Sequence, residues 1–126
     1  MKKRIDDLTI IKNQKISNNF FILEAASKTP LPEIVPGQFL QVRVDNSSDS
    51  FLRIPLSIHD VDYVANTITI LVQVVGSGSE RLSGLKAGEN INLIYPLGNS
   101  FTLPSGGEKI LLAGGGCGMA PLLYLA

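Results

Sequence analysis

Apolar side chains recur along this chain in short alternating or β-branched runs, cut by glycine, proline and asparagine. That is the pattern of antiparallel strands with one dry and one wet face. Leu8 to Lys15 and Phe20 to Ala26 are the first two candidate strands. Thr29-Pro30-Leu31-Pro32 breaks the chain, Pro36-Gly37 turns it, and a third strand is predicted from Gln38 to Val44. A polar loop, Asn46 to Ser50, leads to a fourth strand from Leu52 to Asp60. Pro55 stands inside that strand and cannot donate to a ladder, so its position is expected at an edge or a bend. Tyr63 to Asn66 reads as a turn and Thr67 to Val75 as the clearest strand. Gly76-Ser77-Gly78-Ser79 then opens a short helical turn carrying Leu82 and Leu85, closed by Gly88. Glu89 to Tyr95 is the sixth strand, followed by the turn Pro96-Leu97-Gly98-Asn99. The fold class expected is all-β: six strands at this spacing predict a small closed antiparallel barrel, which leaves no exposed edge.

The pattern changes near the end. Ile110 to Ala113 form a wholly apolar run, as in a strand buried on both faces of a parallel sheet. Gly114-Gly115-Gly116-Cys117-Gly118 follows, then Pro121 at a first helical position, where its missing N–H costs nothing. Strand, glycine turn and helix start are the opening of a nucleotide-binding βα unit, with backbone N–H groups facing a phosphate. The G-x-G-x-x-G fingerprint is absent: what stands here is Gly116-x-Gly118-x-x-Pro121, and an ordinary glycine turn fits equally well. The division expected is therefore a barrel domain over 1–106 and the start of a truncated second domain over 107–126. With no neighbouring strand to cover it, the stretch from Ile110 to Ala126 should be poorly ordered, packed against the barrel, or paired with a second copy of the chain in a homo-oligomer.

Composition narrows the function classes. Eleven acidic and eleven basic residues balance, so no electrostatic footprint points to nucleic acid or to an anionic membrane. The basic start Lys2-Lys3-Arg4 is cut short by Asp6-Asp7, and no apolar signal stretch or membrane-length run follows. A cytoplasmic protein is expected. Cys117 is the only cysteine and His59 the only histidine, which excludes a disulfide framework, a zinc site and an iron–sulfur cluster built from these residues alone. Cys117 reads as a small apolar filler rather than a redox thiol, and His59 as a surface strand residue rather than an acid–base group.

Three places carry phosphate-compatible chemistry. In Arg53-Ile54-Pro55-Leu56-Ser57-Ile58, a guanidinium can grip a pyrophosphate and Ser57 can donate to a ring heteroatom; a surface arginine beside a bend is the alternative. Gly76-Ser77-Gly78-Ser79 directs several N–H groups to one point, or is a tight turn with a capping serine. Pro96-Leu97-Gly98-Asn99-Ser100-Phe101 lets a flat ligand or another backbone approach, or is a plain β-turn.

The order of these pieces is more specific than any one of them. Pro36-Gly37-Gln38-Phe39, Arg53 to Ile58, Val75 to Ser79, Pro96 to Asn99 and Gly114 to Pro121 together resemble the ferredoxin reductase superfamily, over nearly the whole chain. Within it, the sequence is most similar to the electron-transfer subunits of bacterial type B dihydroorotate dehydrogenases. The resemblance implies a Greek-key barrel that binds FAD, followed by a nicotinamide-binding domain. It implies electron transfer from NADH through FAD and a two-iron two-sulfur cluster to FMN on a partner catalytic subunit that oxidises dihydroorotate, a step of pyrimidine biosynthesis. No catalytic residue and no metal ligand is implied within these residues. Carried over by position, the family's R-P-I-S pattern falls on Ile54-Pro55-Leu56-Ser57, further flavin contacts on Val72, Gln73 and Val74, and its G-T pair on Gly78 and Ser79. The nicotinamide site would begin at Gly116, Gly118 and Pro121. Two positions depart from the family: Ile54 replaces the pyrophosphate-binding arginine, leaving Arg53 one place earlier, and Tyr95 replaces a glycine. A flavin-free interaction barrel, or a piece of another ferredoxin or flavodoxin reductase, are the alternatives.

Overall fold

The computed structural model describes residues 3–44, 53–102, 106–107, 111–113 and 120–125. Six strands form a closed barrel: β1 (Arg4–Lys15), β2 (Phe20–Ala26), β3 (Phe39–Arg43), β4 (Ile54–Asp62), β5 (Thr67–Gln73) and β6 (Asn90–Leu97). The order around the barrel is β1-β2-β5-β4-β3-β6, with every neighbouring pair antiparallel. This is the barrel the alternation predicts, with β1 longer at its start, β5 ending two residues sooner, and β4 and β6 each running two residues further, so that Pro96 and Leu97 belong to β6 rather than to a turn. Leu52 lies outside the described residues, as does the loop from Asn46 to Ser50.

The alternation works because side-chain direction reverses at each strand residue. Leu8, Ile10, Leu23, Leu40, Val42, Ile58, Ile68, Ile70, Val72, Ile91 and Leu93 all point inward and are buried. Each large aliphatic side chain so covered is worth roughly 1.5–3 kcal/mol. A helix, α1 (Ser77–Ser83), follows β5 and inserts the buried Leu82 into the core cluster at one end of the barrel. The helix ends at Gly84 rather than Gly88. Gly84 is right-handed and its N–H bonds back to Arg81 and Leu82, whereas Gly88 (φ +96°) belongs to a separate turn before β6.

The opposite end is closed by polar groups. Tyr95 is fully buried, its hydroxyl donating to Asp6 Oδ2 (2.9 Å) and accepting from Arg4 Nη2 (2.8 Å). Arg4 also donates to the Pro30 carbonyl (2.8 Å), and its Nε lies 3.0 Å from Asp6 Oδ2. Burial pushes the Tyr95 phenol above its ordinary pKa. At the position where relatives were expected to carry glycine, the chain thus has a plug.

After the barrel, Leu111–Ala113 are exposed and form no strand; Ile110 lies outside the described residues. A strand needs a partner, and the closed barrel offers no free edge to supply one. A second helix, α2 (Leu122–Leu125), packs on β4. Among the described residues no helix is long and apolar enough to cross a membrane.

Candidate functional site

β4 presents two faces. Ile54, Leu56 and Ile58 pack toward the core, while Pro55, Ser57 and His59 face outward. The first half of β4 pairs only with β3, from Ile54 to Ser57; its pairing with β5 runs from Ile58 to Asp62. β5 meanwhile continues to Gln73, held by β2. The two strands therefore part toward the α1 end, leaving an outward slot between Ile54–Ser57 and Gln73–Ser79. Pro55 sits where the ladder to β5 has not begun, a place that tolerates its missing N–H.

Across the slot, Val72 is buried, Val74 packs against the core, and Gln73 between them is half-buried. Beyond them the backbone at Gly76 is extended (φ −168°, ψ −175°) and starts α1. Glu80 supplies the first helical N–H that reaches a carbonyl, that of Gly76 (2.9 Å). The N–H groups of Ser77, Gly78 and Ser79 have no acceptor within the helix and carry its positive end. The Ser79 hydroxyl is spoken for: it accepts from Val75 N (2.8 Å) and Gly76 N (3.1 Å) and donates to the Gly76 carbonyl (3.1 Å). One donor and two acceptor sites are all a hydroxyl has. Ser79 therefore shapes the loop, and the loop's backbone remains to meet an anion. A Cβ built on Gly76 meets nothing within 4 Å, so the space in front of the turn is open.

Arg53 is not brought to this slot. Its guanidinium lies over β3 and β6, donating to the Gln41 carbonyl (3.4 Å), the Asn92 carbonyl (3.2 Å) and Asn92 Oδ1. Asn92 Nδ2 in turn donates to Asp7 Oδ1 (2.9 Å). Because β3 and β6 lie on one side of β4 and β5 on the other, Arg53 and the Gly76–Ser79 turn sit on opposite sides of β4. Ile54 itself turns inward and packs against the core.

The Pro36–Phe39 and Pro96–Asn99 motifs meet each other. Gln38 is fully buried; its Oε1 accepts from Val35 N (2.9 Å) and its Nε2 donates to the Gly98 carbonyl (3.0 Å). Its own carbonyl accepts from Ile58 N (3.2 Å), which anchors β4 midway. Gly37 has φ +99°, and a Cβ there would stand 2.6 Å from Phe101 N, so only glycine fits. These motifs build the frame that holds β4. A glutamine at the entry to an apolar strand was the available signal for Gln38, since a buried amide must be fully bonded.

Of the nicotinamide-site candidates, Gly116 and Gly118 lie outside the described residues, as does Cys117. Pro121 precedes α2 directly. Ala120 is 2% exposed, and its carbonyl lies 2.6 Å from His59 Nδ1. The Tyr124 hydroxyl donates to the Ile34 carbonyl (2.5 Å) and lies 3.2 Å from that of Tyr63. Burial first, and then the Tyr63 hydrogen bond, push the Tyr124 phenol well above its usual range. His59, read in the sequence as a plain surface residue, is therefore half-buried and engaged.

A closed barrel of this strand order, with a slot between parting strands and a glycine turn at its end, is the FAD-binding barrel fold of the ferredoxin reductases. Phthalate dioxygenase reductase superposes with a TM-score of 0.78 at 26% identity, covering 94% of this chain and 37% of that one. The ferredoxin reductase of carbazole 1,9a-dioxygenase superposes with a TM-score of 0.85 over 98% of this chain and 39% of that one, at 20% identity, a likeness of fold. Within that class, the sequence is homologous to dihydroorotate dehydrogenase B (NAD(+)) electron transfer subunits. That of Desulforamulus reducens is 38% identical over 122 residues, 97% of this chain and 47% of the relative. That of Shouchella clausii is 37% identical over 127 residues, 99% of this chain and 49% of the relative. The chain spans about half the length of the curated relatives it matches. No family model matches it.

Proposed function

We propose that this chain is the FAD-binding part of an NADH-dependent electron-transfer subunit serving a dihydroorotate dehydrogenase. The observation that carries the reading is the outward slot between β4 and the β5–α1 turn, in a chain homologous to such subunits over nearly its whole length. The residues fit the group. Backbone N–H groups of Ser77, Gly78 and Ser79 would hold the pyrophosphate at the positive end of α1. Pro55 and Ser57 on one wall, and Gln73 with the backbone of Val72 and Val74 on the other, would hold the ring; Ile54 and Leu56 support the first wall from inside. Bound FAD supplies hydride acceptance from a nicotinamide and onward electron transfer; the protein holds and orients it.

Residues 1–106 would form this flavin unit and 107–126 the start of the nicotinamide unit, with Gly116, Gly118 and Pro121 at the phosphate turn. The partner would be an FMN-containing catalytic subunit, and a two-iron two-sulfur cluster would take its ligands from outside these residues, which hold one cysteine. Titration of the apoprotein separates the readings. FAD should bind at least tenfold more tightly than FMN, because the loop serves a pyrophosphate. Equal affinities would count decisively against it, and binding of neither would favour an interaction barrel.

A further inference from the structure

We propose that His59 is a positioning residue that, with Tyr63 and Tyr124, clasps the helix after the glycine run onto the outer face of β4. The proposal rests on the flavin reading for its consequence, which is that the clasp sets where a nicotinamide unit stands relative to the flavin strand.

Three features converge on it. The first is a β-bulge: Ile58 pairs with Ile70 but Asp60 with Thr69, so one extra residue stands between them. Ile58 and Val61 both pack inward, and the bulge leaves His59 and Asp60 facing out together. His59 keeps the outward direction of Ser57, and the bulge, by leaving Asp60 outward as well, returns Val61 to the core. The second is the contact itself. A carbonyl only accepts, so His59 Nδ1 carries the proton that it donates to Ala120 at 2.6 Å. The third is a second anchor one helical turn later. Tyr63 accepts from Ile34 N (2.9 Å) and donates to the Ile34 carbonyl (3.0 Å), the same carbonyl that receives Tyr124. Ala120 stands two residues before α2 and Tyr124 within it, so the segment is held once at its entry and once on the helix itself.

The placement gives the clasp its meaning. Ser57 and His59 lie on the same outward row of β4, roughly 7 Å apart at the usual rise of a strand. Ala120 follows directly on the glycine run and Met119 in sequence. The strand that would carry the flavin ring therefore also carries, two residues on, the side chain that ties down the next unit. Simple packing of Ala120 and Tyr124 on the barrel is the competing explanation, and it predicts no dependence on which imidazole nitrogen is kept.

Asparagine places an amide N–H near the position of Nδ1, whereas glutamine reproduces the more distant nitrogen. In the 126-residue chain, amide exchange across Leu122–Leu125 should quicken about five- to tenfold in His59→Ala and His59→Gln, the loss of about one hydrogen bond. His59→Asn should stay within about twofold of the parent, and Leu23 and Ile70 amides should not change. The single imidazole should show Nδ1 as its proton-bearing nitrogen by NMR. Equal exchange in all three variants, or core amides changing in parallel, would overturn the clasp. FAD affinity should be the same in every variant; a parent that binds no FAD would defeat the flavin reading and leave the clasp standing. In a longer protein carrying a complete nicotinamide unit, His59→Gln should raise KM for NADH several-fold with kcat little changed, and His59→Asn should restore it. An unchanged KM in His59→Gln would overturn the positioning role.

Discussion

The two ends of the barrel are closed by opposite means. At the α1 end, Leu82 enters the core as a purely apolar stopper, and the charged Arg53 is drawn away over β3 and β6 by Asn92. At the far end, Tyr95, Arg4 and Asp6 form a bonded polar plug, with the α2 clasp beside it on β4. An end whose chemistry is backbone N–H groups gains from apolar closure, since no side chain then competes for those donors. The end without that task tolerates a polar network, even one in which the buried Arg4 Nε is only ion-paired with Asp6 and makes no hydrogen bond.

Substitutions at the two ends put this contrast to the test. Leu82→Ala should have the largest effect, a loss of about 2–4 kcal/mol in denaturant unfolding, because it leaves a cavity that the barrel cannot collapse to fill. Next is Ser77→Pro. Proline is accepted at the first helical position, and the extended Gly76 before it is the conformation a residue preceding proline prefers. The fold should survive while one loop N–H disappears, weakening FAD binding by about 1.5–3 kcal/mol, the range for hydrogen bonds to charged groups. Unaltered affinity would move the anion site elsewhere.

At the polar end, Tyr95→Phe should cost about 1–2 kcal/mol, since Arg4 and Asp6 can still pair when the hydroxyl is gone. The phenols of Tyr95 and Tyr124 are both raised in the folded state, so the native protein holds these protons more tightly than the unfolded chain does. Their stabilisation is complete below the ordinary phenol pKa of about 10 and is lost as pH rises beyond it. Denaturation midpoints should fall above about pH 10, and less steeply in Tyr95→Phe. The smallest effect is expected at Arg53→Ala: FAD affinity should change by less than about 0.5 kcal/mol, because the guanidinium is held on the far side of β4. A loss of tenfold or more would mean that the arginine swings across when FAD binds.

Most of the barrel was legible because alternation is a local signal: two or three residues announce a strand and its inner face. What was not legible depends on distant partners. Arg53 is outward by parity, but which side it leans to is decided by Asn92, 39 residues later. Gly88 reads as a helix stop, yet the helix had already ended at Gly84 through its own carbonyls. Ile110 to Ala113 has the composition of a buried strand, but Leu111 is 89% exposed, since composition alone cannot provide a neighbour. His59 is outward by alternation but carries no local mark of its role, because its partner Ala120 lies 61 residues later. In the candidate site, the glycine turn was readable from spacing, whereas the saturation of Ser79 Oγ was not.

Barrel closure has a consequence for how the molecule is made. β1 finds one neighbour at once in β2, but the other is β6, with Arg4 and Tyr95 separated by 91 positions. A chain emerging from the ribosome must therefore hold a growing, open-edged sheet until its last barrel strand arrives. Contacts this remote in sequence are slow to form, and an edge left waiting is a template for other chains. Any shortened product ending before residue 90 would keep that edge permanently, and should be found in inclusion bodies rather than in solution.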